Sequence, residues 1–90
     1  MAVKVHIHPA HLQFTKGLEV VPLAGATVGE CLEELIREFP EMEQALFSRK
    51  GRLLKSVEVY INQDSAYPDE LAKPLKDGDS VHLLLMLAGG

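Results

Sequence analysis

Five side chains in this 90-residue sequence are suited to chemistry near neutral pH: His6, His8, His11, His82 and Cys31. Imidazole is the side chain whose ordinary pKa puts its charge change between pH 5 and 8. His6 and His8 stand two apart in an alternating stretch, so they share one face of a strand. If His82 neighbours them, three imidazoles approach one another. No recognised metal-ligand spacing is present, and the reading preferred is polar residues on a solvated sheet face, with no metal. Cys31 falls in a helical apolar stripe. Reactivity needs exposure and a depressed pKa, so an inert core residue is expected. There is no serine or cysteine nucleophile motif and no glycine loop of the kind that cradles phosphate.

The remaining candidate is the end of the chain, Ala88-Gly89-Gly90. Two glycines without β-carbons make a flexible, unbranched tail that can thread a narrow channel into another protein's active site. The strand before it reads Val81-His82-Leu83-Leu84-Leu85-Met86-Leu87. With Val81, Leu83, Leu85 and Leu87 turned to a core, Leu84 and Met86 face outward beside His82. An outward apolar pair on a strand that ends three residues before the chain end is a candidate partner-docking patch, and methionine adapts well to varied contacts.

Other elements must hold that strand in place. Val3, Val5 and Ile7 alternate with Lys4, His6 and His8, which predicts a half-buried strand ended by Pro9. Leu18 to Leu23 makes a second apolar stretch, so residues 3–23 read as a hairpin with a loose loop. Thr27-Val28-Gly29-Glu30 has the form of a capping box, in which the threonine hydroxyl takes the Glu30 amide and the Glu30 carboxylate returns to the Thr27 amide. Val28, Cys31, Leu32, Leu35, Ile36 and Phe39 follow at helical spacing, and Pro40 stops the helix. Glu41 to Ser48 adds a short helical turn. Val57, Val59 and Ile61 mark a third strand, and Asn62-Gln63-Asp64 turns the chain. Residues 65–76 hold a short edge strand or one helical turn. Lys76-Asp77-Gly78-Asp79 is a turn, and the last strand runs from Ser80 to about Leu87. The fold class is α+β: a mixed four- or five-stranded sheet with one main helix on one face. First and last strands can pair in parallel because the helix lies between them in sequence.

The length allows a single domain, residues 1–90. Hydrophobic residues make up 47% and charged residues 24%, the balance of a soluble globular chain rather than a disordered one. The net charge of −4 argues against nucleic acid as a partner. The one basic cluster, Arg49, Lys50, Arg52 and Lys55, reads as a solvated loop, with docking to an acidic partner surface as the second possibility. A lone cysteine fits a reducing compartment. The N-terminus lacks a signal-peptide layout, and the longest apolar run is too short to span a bilayer, so a cytoplasmic location with no membrane contact is expected.

Over nearly its whole length the sequence resembles the ubiquitin-like β-grasp sulfur carriers of the ThiS/MoaD family, which includes the molybdopterin-synthase small subunit and the thiamine sulfur carrier. The most specific piece is Pro74-Leu75-Lys76-Asp77-Gly78-Asp79-Ser80-Val81, followed by terminal Ala88-Gly89-Gly90. Val57 to Asn62 looks like the family's central strand and turn, and Thr27 to Glu30 like its helix start. The pattern is broken at Leu85, Met86 and Leu87, where many members carry a proline. This predicts a strand that continues closer to the tail. Segment 48–56 looks like the loop of longer members, among them carriers for molybdopterin, cysteine and thiolated tRNA.

The resemblance implies the following chemistry. The Gly90 carboxylate would be adenylated by an activating enzyme using Mg-ATP and converted by a sulfur donor to a thiocarboxylate. It would then deliver sulfur to an acceptor enzyme, such as a molybdopterin-synthase large subunit or a thiamine, cysteine or tRNA-thiolation enzyme. The chain would be a cosubstrate with no cofactor of its own rather than an enzyme. Two alternatives stay open: a ubiquitin-like modifier joined to lysines through Gly90, and a permanent small subunit of a molybdopterin synthase.

Overall fold

The computed structural model describes residues 2–86. Its strands are β1 (Ala2–His6), β2 (Val20–Ala24), β3 (Val57–Ile61), β4 (Asp64–Ser65) and β5 (Ser80–Leu85), and its α-helices are α1 (Val28–Glu38) and α2 (Met42–Leu46). They form one five-stranded sheet in the order β2-β1-β5-β3-β4. β1 and β5 are parallel, as expected, and every other neighbouring pair is antiparallel. The sheet is therefore mixed, with β5 at its centre.

Period-two alternation decides the faces. Val3 and Val5 of β1, Val21 and Leu23 of β2, Val57 and Val59 of β3, and Val81 and Leu83 of β5 all turn inward and are buried. Helix α1 covers that face with Val28, Cys31, Leu32 and Leu35, each fully buried, while Ile36 and Phe39 pack at the margin. Met42 and Leu46 of α2 close the same core. Burying a side chain of this size contributes roughly 1.5–3 kcal/mol, so this one cluster carries the fold. Among the described residues the opposite sheet face is left open, its side chains at Lys4, Val20, Pro22 and Leu84 exposed and at His6, Glu58, Tyr60 and His82 half-buried.

Both sheet edges are protected. β2 carries Pro22, which cannot donate to an incoming strand, and β4 is two residues long. Between Pro9 and Phe14 the expected loose loop is a 3-10 helix. His8 caps it, its Nδ1 accepting from the Ala10 N–H at 3.0 Å. This cap is invisible to an apolar-periodicity reading. The second strand begins at Val20 rather than Leu18, whose carbonyl is taken by the buried Thr15 hydroxyl at 2.9 Å.

The capping box forms with one correction. Thr27 Oγ1 accepts from the Glu30 N–H at 3.2 Å, but Glu30 Oε1 accepts from the Ala26 N–H, at 2.9 Å, and not from Thr27. The chain around Thr27 is held against the segment before β5, with Val28 N–H donating to Lys73 C=O and Leu75 N–H to Ala26 C=O. That bridge sets which amide the carboxylate meets. Both features offered as alternatives for 65–76 are present, the 3-10 turn at Glu70–Ala72 inside the segment and the two-residue edge strand one residue earlier than expected, at Asp64–Ser65.

Candidate functional site: the open sheet face and the root of the tail

Strand β5 is positioned by a polar knot at its start. Gly78 sits at φ +90°, a conformation that favours glycine. Asp77 Oδ1 accepts from the Ala2 N–H at 2.9 Å. Asp79 accepts from the Lys76 N–H at 2.8 Å and from Asn62 Nδ2 at 3.1 Å, and Asn62 Oδ1 accepts from the Ser80 N–H. These hydrogen bonds, the Lys76 amide first and Asn62 next, hold the Asp79 carboxyl below its ordinary pKa. Asn62 itself adopts φ +57°. The Asp-Gly-Asp turn and the asparagine after β3 thus tie the beginnings of β1 and β5 to the end of β3.

At its far end β5 leads to the tail. The Met86 N–H donates to the Ser56 C=O at 2.6 Å, so pairing with the segment before β3 persists one residue past the strand. β5 itself ends at Leu85, short of the predicted end near Leu87, and only this one backbone bond carries the pairing on to Met86. Leu87, and with it the end of the predicted strand, lies outside the described residues, as do Ala88, Gly89 and Gly90.

The helix-free face has one row of side chains fixed by register. Val20 is opposite His6, His6 is opposite His82, and His82 is opposite Tyr60. The His6 and His82 rings stack at 4.2 Å between centroids and 14° between planes. His6 Nε2 is buried with no hydrogen-bond partner among the described residues. Burial first, then the His82 ring, then Lys4, push the His6 pKa below 6.5. Beyond this row stand Leu84, 41% exposed, and Met86, 51% exposed. His82, Leu84 and Met86 thus share the face read from alternation, while Leu85 is only half-buried on the inner side. A groove of about 530 Å³ begins at Met86, lined also by Leu53, Leu54, Lys55, Glu58 and Tyr67.

The three imidazoles do not gather. His8 lies beyond β1, spends its Nδ1 on the cap, and approaches His11 at 6.1 Å instead. Among the described residues no three His, Cys, Asp or Glu side chains converge as metal ligands do. Tyr60 takes the outer face, as its place between Val59 and Ile61 predicts, and Val20 joins it there from β2. The strand register that sets their neighbours is not in the sequence. Cys31 behaves as its stripe predicts: it is fully buried, and burial, then Glu34, push its thiol up to about 11. No helix among the described residues is long and apolar enough to cross a membrane.

Comparison with known proteins agrees with this architecture. The family model described as "ThiS family" matches residues 9–90. The sulfur carrier protein CysO of Mycobacterium tuberculosis is 32% identical over 93 aligned positions that span the whole of both chains. Among solved structures, the Amycolatopsis orientalis BexX/CysO complex contains a chain that superposes with a TM-score of 0.87 at 28% identity, covering 98% of this chain and 99% of that one. Mycobacterium tuberculosis CysO gives 0.86 at 27% identity, covering 94% and 99%. The small archaeal modifier protein 1 of Methanosarcina acetivorans gives 0.85 at 26%, covering 99% and 96%. The fold is the ubiquitin-like β-grasp, and the chain belongs to the ThiS family.

Proposed function

We propose that the protein is a sulfur carrier whose reactive group is the Gly90 carboxylate. The supporting observation is the pairing of Met86 with Ser56, which fixes the last described residue of the chain in an exposed apolar pair with Leu84. Similarity to CysO over the full length points the same way.

A free carboxylate resists substitution because oxide is a very poor leaving group. The activating enzyme joins the Gly90 carboxylate to the α-phosphorus of Mg-ATP and releases pyrophosphate. A sulfide-level donor then displaces AMP from the acyl carbon and leaves a thiocarboxylate. The sulfur attacks an electrophilic carbon of the acceptor, which loses a leaving group or takes the electron pair of a double bond; water then cleaves the acyl C–S bond and the carboxylate returns. In this sequence the chain supplies no acid or base; it supplies the end group and a recognition surface. His82, Leu84 and Met86 form that surface, and Ala88 and Gly89 give the slim approach. The acceptor pathway is one of cysteine, molybdopterin, thiolated tRNA or thiamine synthesis, with the chain as cosubstrate.

The test is the intact mass of the protein isolated from its own cells, alongside a variant lacking Gly90. A species in which one oxygen is exchanged for sulfur, located at Gly90 and absent from the deletion variant, is expected. Sulfur transfer retained by the deletion variant would sink the mechanism. A second reading, conjugation to lysines through Gly90, is favoured by the likeness to the Methanosarcina acetivorans modifier protein. Lysine-linked conjugates in place of the thiocarboxylate would establish it.

A further inference from the structure

Charge is unevenly distributed along the chain. Four of its nine lysines and arginines, Arg49, Lys50, Arg52 and Lys55, fall within seven residues, and no aspartate or glutamate occurs from Gln44 to Val57. All four are exposed. The one ion pair among the described residues joins Arg37 to Glu34, far along the sequence from this cluster. A chain of net charge −4 thus carries one concentrated positive loop, which shares pockets with Glu43 at Arg49, Asp69 and Glu70 at Arg52, and Glu58 at Lys55 but forms no ion pair with them among the described residues.

The loop is built rather than slack. Phe47 and Leu53 form a bridge, the Ser48 N–H donates to Arg52 C=O at 2.7 Å, and Gly51 N–H donates to Ser48 C=O at 2.9 Å. Ser48 Oγ accepts from the Lys50 and Arg52 amides. The Leu54 N–H ties its far side to Leu46 of α2 at 2.8 Å. Its last cation, Lys55, directly precedes Ser56, the residue that holds Met86, and Lys55 and Met86 line the same groove. The positive loop is therefore fixed at the root of the tail.

We propose that residues 49–55 are an electrostatic docking loop, received by an acidic rim around the cleft of the adenylating enzyme into which the tail is inserted. This rests on the sulfur-carrier reading above. Charges at the rim of an interface act mainly on association rate and salt dependence, and steering of this kind fades as salt shortens the Debye length. The loop then brings the tail to the cleft, while the apolar face at Leu84 and Met86 supplies the held contact.

The test uses the full-length carrier and the adenylating enzyme from the same genome, with pyrophosphate release from Mg-ATP as readout. Arg49→Glu with Arg52→Glu is expected to raise the KM for the carrier about tenfold with kcat unchanged, and to remove most of the fall in kcat/KM with added salt. Lys16→Glu with Lys76→Glu changes net charge equally, away from the tail root, and leaves KM within about twofold. An unchanged KM in the loop variant overturns the proposal, and so does an equal loss in both variants. Mg-ATP alone is also titrated into the isotope-labelled carrier. Amide shifts confined to residues 49–55 would assign the loop to nucleotide phosphates and overturn the protein-rim assignment. Absence of turnover with the wild-type carrier overturns the sulfur-carrier reading and this inference together. Turnover without a loop effect overturns the inference alone.

Discussion

His11 is the polar side chain most at odds with its surroundings. It is 6% exposed, its Nδ1 has no partner among the described residues, and it packs against Phe14 at 6.1 Å between rings. Burial first, then His8, lower its pKa below 6.5. The neutral ring is the form the fold accepts, so below pH 6.5 the unfolded chain binds more protons than the folded one. Stability is then highest above this value and falls as pH drops through 6.5 toward the folded-state pKa. His6, lowered for like reasons, adds to the same slope. Urea unfolding at a series of pH values should show this decline, and His11→Gln should flatten part of it. A slope unchanged by that substitution would assign the acid sensitivity elsewhere. Cys31 was readable from the sequence because its position in the helical stripe fixed its burial. His11 was not, since its environment comes from a 3-10 turn and from α2, neither of which a period-two or helical pattern announces.

At the scale of elements, helix α1 depends on a start that is tightly confined. A β-carbon on Gly25 would lie 2.7 Å from the Cys31 backbone nitrogen, closer than real contacts allow. The loop before the helix therefore passes directly over its first turn, and the Glu30 carboxylate reaches the Ala26 amide there. Gly25→Ala should destabilise the domain by roughly 1–3 kcal/mol through the displaced backbone. Thr27→Ala should cost about 1 kcal/mol by freeing the Glu30 amide. Denaturant melts of both variants check this; equal stability of Gly25→Ala and the parent would mean the loop relaxes without cost. The main elements were legible because each carries its own period: β1, β3 and β5 alternate, and α1 repeats at 3.6 around a capping residue. What failed was local and depended on distant partners. The exact amide taken by Glu30 is set by the bridge from Thr27 to Pro74, and the departure of His8 from the strand is set by a cap it makes to its own loop. The role of Asn62 was visible only as a turn, because its hydrogen bonds run to Asp79 and Ser80 across the sheet.

The molecule as a whole is two-faced. One side of the sheet is closed by α1, whose outward positions include Glu30, Glu33 and Glu38. The other side is open, with the stacked His6 and His82 at its middle and Leu84 and Met86 toward the root of the tail. β5 serves both sides, since Val81 and Leu83 anchor the core while His82 and Leu84 look out. A change on its outer positions can therefore alter recognition without disturbing the fold. Leu84→Glu stands opposite Glu58 across the β3–β5 pair, so the like charges should cost about 0.5–1 kcal/mol and lower the thermal midpoint by several degrees while leaving the domain folded. In the sulfur-carrier reading it should raise the KM for the adenylating enzyme by at least about tenfold, as a charge facing an apolar contact is costly to desolvate. Its KM should keep the parent's salt dependence, which belongs to the loop at residues 49–55. Added as a competitor, Leu84→Glu should also fail to inhibit adenylation of the parent. A folded Leu84→Glu variant that is adenylated normally would place the docking contact off this face, and the stacked histidines would then need another explanation.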